Sequence, residues 1–155
     1  MKSKPPMEIN NMAALLEKTF HGPAWHGPSV RESLEGIDAQ MASRKPFDSH
    51  SIVELVLHMT AWRNFVARRL DGDSMYEVSD AENFPTATDW ERALENLKES
   101  QTNLLAALKK FPESKLFATV PNRKYDFYTM VHGLLQHDIY HTGQIVLLKK
   151  QTKTD

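Results

Sequence analysis

The sequence contains no cysteine. Disulfides, thiolate–zinc sites, cysteine-held iron–sulfur clusters and a cysteine nucleophile are therefore excluded. It also lacks long hydrophobic runs. No stretch reaches the roughly 20 apolar residues that a membrane span needs, so no membrane partner is expected. The opening Met-Lys-Ser-Lys-Pro-Pro has no apolar run of the signal-peptide kind, so a cytoplasmic location is expected. Charge bias is absent too. Lys plus Arg number 19 and Asp plus Glu 20, a net charge of −1, whereas a general nucleic-acid binder needs a positive excess. A small-molecule substrate remains compatible with that balance.

The chain has 155 residues, of which 41% are hydrophobic and 25% charged, the balance of a globular protein rather than a disordered one. A chain of this length buries about 68–70% of its unfolded surface and can hold a core without staples. No repeat or low-complexity tract is present, so a single domain over residues 1–155 is expected.

Helical periodicity dominates. Ser29 and Glu32 have capping-box spacing, and Val30, Leu34, Ile37 and Met41 follow at steps of three and four, predicting a helix over about 29–44. Gly36 lies inside this segment and can break it in two. Ser51 and Glu54 form a second capping box ahead of Ile52, Leu55, Met59, Trp62 and Val66, a helix over about 51–71. Thr88 and Glu91 form a third, ahead of Trp90, Leu94, Leu97, Gln101, Leu104, Leu108 and Phe111, over about 88–111. The fourth, over about 126–150, carries Phe127, Val131, Leu134, Asp138, His141, Ile145 and Leu148 on one seam. A short helix is expected over Glu8 to Phe20, and the residues from Leu116 to Val120 read as loop. Four long amphipathic helices in one domain predict an all-α four-helix bundle. The link from Gly72 to Thr88 is long for a bundle, so it either crosses over an end or covers a site.

The fourth seam carries the chemistry. Apolar residues fill a bundle interior, yet Asp138 and His141 lie in its middle and His137 flanks the same stripe. His137 and His141 are four apart, about 40° around the helix and about 6 Å along it, so both imidazoles can reach one metal ion. His58 lies beside the buried stripe of the second helix, with Glu54 one turn earlier. Three inward imidazoles make a site for one divalent transition metal, and three protein ligands leave a position for water or substrate. A lone His-x-x-x-His pair also arises by chance among seven histidines, and a histidine beside a core is commonly a hydrogen-bonded core residue. Asp138 favours a cation, because an isolated buried carboxylate costs several kcal/mol. It reads as a metal ligand or as an acceptor for an imidazole N–H, and either Asp138 or Glu54 is a candidate catalytic proton acceptor. His132 faces away from His141, and His50 reads as a surface or capping residue. Trp25, His26, Trp62 and Gln144 are candidate pocket residues: Trp25 and His26 on a loop that can fold over the site, Gln144 as an orienting group for a ligand.

Ser51-Ile-Val-Glu54-Leu-Val-Leu-His58-Met-Thr-Ala-Trp62, followed by Gly133-Leu-Leu-Gln-His137-Asp138-Ile-Tyr-His141-Thr-Gly143-Gln144-Ile145, resembles the DinB/YfiT-like superfamily of small metal-dependent proteins. Trp25-His-Gly-Pro-Ser29 adds to the likeness, which spans roughly Ser29 to Lys150. The resemblance implies up-down-down-up connectivity with a long crossover, for which the Gly72–Thr88 link is available. It implies metal ligation by His58, His137 and His141, with zinc or nickel as the ion. Reactions implied are transfer or isomerisation with a low-molecular-weight thiol, or hydrolysis, and a homodimer is implied as the assembly. Since the chain has no cysteine, a reacting thiol comes from outside it. The rival expectations are a non-enzymatic metal-binding bundle and a metal-free helical interaction module.

Overall fold

The computed structural model describes residues 7–86 and 89–152. Seven α-helices occur among them: α1 (Glu8–His21), α2 (Val30–Leu34), α3 (Ala39–Ser43), α4 (Ile52–Leu70), α5 (Asp80–Asn83), α6 (Trp90–Lys110) and α7 (Phe127–Thr152). They pack as an all-α bundle.

The caps read from the sequence set the helix starts. Ser51 Oγ accepts from the Glu54 amide at 3.3 Å while Glu54 accepts from the Ser51 amide at 2.7 Å, a reciprocal cap on α4 worth about 1 kcal/mol. Asp126 accepts from the Thr129 amide at 2.8 Å at the start of α7. At α6 the cap is Asp89, which accepts from the Arg92 amide; Thr88, expected in that role, lies outside the described residues.

The helix expected over 29–44 is not continuous. The Ser29–Glu32 box forms, but α2 ends at Leu34 because Gly36 adopts φ +72° in the left-handed region. Asp38 then caps α3 with a bond to the Met41 amide. The fourth member of the bundle is α1, which was expected to be a short accessory helix. Its Ile9, Met12, Ala13, Leu16 and Phe20 are all buried.

Contacts along the helices fix their directions. Thr60 and Asn64 of α4 share a groove with Asn96 and Ser100 of α6, and further along Ala67 and Asp71 share one with Asn103 and Lys110. These two helices are therefore parallel. On α7 the order reverses, since His58 meets His141 while Phe65 and Val66 meet Met130 and Leu134. In α1, Glu8 donates its amide to Glu113 just beyond α6, and the Leu16 carbonyl accepts from Gln101, so α1 runs against α6. Helices α1, α4, α6 and α7 thus run up, down, down, up. Both α1 and α4 pack against α6 and α7. The crossover between the parallel pair is the segment from Gly72 to Asp89, and it carries α5, which packs on α4. No helix among the described residues is long and apolar enough to cross a membrane.

Two buried clusters fill the bundle. One joins α1, the second half of α4, α6 and the start of α7. The other joins Phe20, α2, α3, the first half of α4, the start of α6 and Ile145. Trp90 belongs to the second and donates its indole N–H to the Ile37 carbonyl at 2.9 Å.

Candidate metal centre

His58 on α4 and His137 and His141 on α7 bring their Nε2 atoms together. The His58–His137 separation is 2.8 Å and the His141–His137 separation 3.1 Å. The other ring nitrogens of two of them are held from outside. His58 Nδ1 donates to the Asn83 carbonyl at 2.7 Å, and His141 Nδ1 donates to Gln144 Oε1 at 2.6 Å. In a neutral imidazole an Nδ1–H leaves the lone pair on Nε2. Both of these lone pairs are thereby aimed at the point the three rings share. His137 Nδ1 is buried and has no hydrogen-bond partner. Among the described residues this is the one group of three or more imidazole or carboxylate side chains close enough to share an ion, and no fourth protein ligand joins it. Three convergent imidazole nitrogens, two with their tautomer fixed, fit a divalent transition metal.

The crossover closes one side of this centre. Asn83 ends α5 and uses both its groups, the carbonyl on His58 and Oδ1 on the Trp62 indole N–H at 2.9 Å. Phe84 stacks on the His58 ring at 4.1 Å and on the His50 ring at 3.8 Å, so it lies between two imidazoles. Neither Asn83 nor Phe84 was singled out from the sequence. The only hint of them was the length of the link.

Asp138 occupies a different place from the one expected. It is fully buried, but its Oδ2 accepts from Arg63 Nη2 at 2.6 Å and its Oδ1 has no partner. Its carboxylate is not among the side chains close enough to share an ion with the three imidazoles, and the donor it accepts from is Arg63. Arg63 is also fully buried. It donates to Gln101 of α6 through Nη1, and its guanidinium lies 4.7 Å from the Phe20 ring centre of α1. One ion pair with its neighbours therefore ties all four bundle helices together beside the histidines. Burial lifts the Asp138 carboxyl to about 6, against the pull of Arg63.

Glu54 is not brought to the imidazoles either. Its carboxylate holds the α4 cap and accepts from Lys45 Nζ at 2.6 Å. Burial pushes that carboxyl up, but the Lys45 and Ser51 bonds outweigh it and hold it low. Trp25 is wholly exposed and His26 exposed, so this loop does not cover the centre. Trp62 and Gln144 do lie at it, Trp62 with its ring edge to His58 and Gln144 accepting from His141 Nδ1. His50 is half-exposed, 3.8 Å from Glu54. His132 packs on Tyr128, away from the trio.

Comparison with known proteins agrees with the motifs. A family model described as the DinB superfamily matches residues 25–145. The chain belongs to the DinB superfamily. The matched span contains all three histidines and begins after α1. No curated protein and no solved structure matches the chain.

Burial lowers the pKa of all three imidazoles. For His137, burial first and then the neighbouring His141 and His58 bring it to about 3. His58 and His141 are lowered chiefly by burial. The rings are therefore neutral, and fit for ligation, at pH 7. A histidine whose folded pKa lies below its unfolded value of about 6.5 binds fewer protons when folded, so stability falls as pH drops below that value. Asp138, raised from 3.8 to about 6, works in the opposite direction, but it is one group against three. The melting temperature of metal-stripped protein is expected to fall between pH 7 and pH 5. A flat or rising profile would contradict neutral, buried imidazoles.

Proposed function

We propose that this DinB-superfamily protein is a metal-dependent enzyme acting on a small molecule by hydrolysis or thiol transfer. His58, His137 and His141 would hold one zinc or nickel ion. Such an ion supplies Lewis acidity that lowers the pKa of water or of a small exogenous thiol, making it nucleophilic near neutral pH. The observation that carries the reading is the convergence of three Nε2 atoms with no fourth protein ligand among the described residues, which leaves a coordination position for the reacting group.

The surrounding residues prepare that arrangement. Asn83 and Gln144 keep the lone pairs of His58 and His141 turned inward. Phe84 covers one face of His58 and limits water there. The Arg63–Asp138 pair sets α4 against α7, and so sets the single histidine of α4 against the pair on α7. Glu54 and Asp138 are both in ion pairs, with Lys45 and with Arg63, and neither joins the three imidazoles.

The test is a parallel screen of zinc- and nickel-loaded protein, with small thiols plus electrophiles in one arm and esters and amides in the other. Turnover in one arm, lost in His141→Ala, is expected. No turnover in either arm by fully metal-loaded protein would contradict the enzymatic reading.

A further inference from the structure

A cavity of about 380 Å³ opens between α4 and α7, and His137 forms part of its wall. The rest of the lining is mostly aromatic and aliphatic, Trp62, Phe65 and Leu134 among it, with Gly133 and the hydroxyls of Tyr125 and Thr129. No charged side chain lines it, and the Trp62 N–H is already taken by Asn83. A charged or heavily hydroxylated group placed there would lose hydration with only the Tyr125 and Thr129 hydroxyls and the His137 imidazole to replace it. Aromatic and aliphatic walls suit a ring or branched alkyl group, and the volume falls within the range of small-molecule sites.

Gly133 lies one turn before His137. It sits inside α7, is not among the glycines with positive φ, and a Cβ built on it would meet nothing within 4 Å. Neither backbone conformation nor packing requires glycine here, and glycine weakens a helix interior relative to alanine. What its missing side chain does provide is open space in the cavity wall beside a metal ligand. Gly143 is a natural comparison. It is also within α7 and also free of neighbours, but it does not line this cavity.

Taking the metal reading above as given, we infer that the cavity receives an apolar ring or branched alkyl group of the substrate, and that Gly133 is the residue limiting the size of that group.

Two measurements separate this inference from the metal reading. In the first, metal-stripped wild type, Gly133→Leu and Gly143→Leu are titrated with the uncharged dye N-phenyl-1-naphthylamine. Wild type and Gly143→Leu are expected to bind it, and Gly133→Leu to bind at least about tenfold more weakly with an undiminished helical signal. Equal binding by Gly133→Leu, or none by wild type, overturns the assignment. In the second, zinc-loaded protein is titrated with acetohydroxamate and benzohydroxamate. The phenyl compound is expected to bind about tenfold or more tightly to wild type. That gap closes in Gly133→Leu while acetohydroxamate affinity holds. Equal affinities in wild type overturn the cavity's role and leave the metal site standing. Failure of both hydroxamates to bind zinc-treated protein overturns the metal site and with it the substrate assignment, whatever the dye shows.

Discussion

Replacing His58, His137 or His141 with alanine is expected to weaken zinc or nickel binding by more than about a hundredfold in each case. Loss of a residue that only orients a ligand typically costs ~10–100-fold in metal affinity, and loss of the ligand itself exceeds that. The Nε2 atoms of all three lie within 3.1 Å of a neighbour in the trio, so no imidazole is a bystander. Gln144→Ala supplies the graded comparison. It frees His141 Nδ1 without removing a ligand, and its effect should fall in the ~10–100-fold range. His132→Ala is the null control, since its ring packs on Tyr128. Isothermal titration of metal-stripped variants, with helix content checked by circular dichroism, measures each. Unchanged affinity in any of the three alanine variants would remove that residue from the centre.

The largest effect on stability is expected at Asp138. Both side chains of the Arg63–Asp138 pair are wholly buried, and Asp138→Asn leaves the guanidinium inside the bundle without a counter-charge. Breaking a buried pair by removing one partner costs about 3–5 kcal/mol. In a chain of this size the melting temperature should fall on the order of 10 °C. The cause is the stranded charge rather than lost packing, because aspartate and asparagine are nearly isosteric. Arg63→Met combined with Asp138→Leu removes both charges and should restore most of the loss. Zinc affinity of the folded Asp138→Asn protein should change far less than in the histidine variants. A melting temperature within a degree or two of wild type would contradict the role given to the pair. Abolished zinc binding at unchanged stability would place Asp138 at the ion after all.

The two residues differ in how well the sequence exposed them. The histidines were legible because imidazoles on an apolar helical stripe conflict with burial, and helical spacing then predicts which of them converge. Asp138 on the seam of α7 signalled only that some cation lay opposite, and a metal ion answered that demand as well as an arginine did. Arg63 was the alternative within α4. A long flexible side chain one position from Trp62 gives no sign of turning inward, and Gln101 on the α6 seam was the one further trace of a polar layer. The hold on His58 had no signal beyond the length of the link, because it comes from the backbone carbonyl of Asn83, and every residue carries one. Glu54 was the reverse case. Its capping role was visible in the Ser51–Glu54 spacing, and a carboxylate committed to a cap is not free for chemistry.

The same contrast runs through the fold. The starts of α4 and α7 lie within a residue of their expected places because side-chain caps fix them locally. The run Val30, Leu34, Ile37 and Met41 keeps helical spacing straight through Gly36, so periodicity alone overstates that element, and the positive φ decides against it. Conversely α1 looks minor by length. Its place as a full member of the bundle depends on partners such as Gln101 in α6 and Glu113 just beyond it, 85 and 105 residues away along the chain. Packing partners at such distances are set by the whole assembly and leave little local trace.

The central claim is that three imidazoles hold one metal ion with a position left open. Its most direct test is titration of tag-free, metal-stripped protein with zinc, followed by elemental analysis of the desalted complex and by X-ray absorption at the zinc edge. One zinc per chain, bound by three imidazole nitrogens and a further light-atom ligand that acetohydroxamate replaces, is the predicted result. No retained zinc, or a zinc whose ligands are all protein side chains and do not exchange, would contradict it.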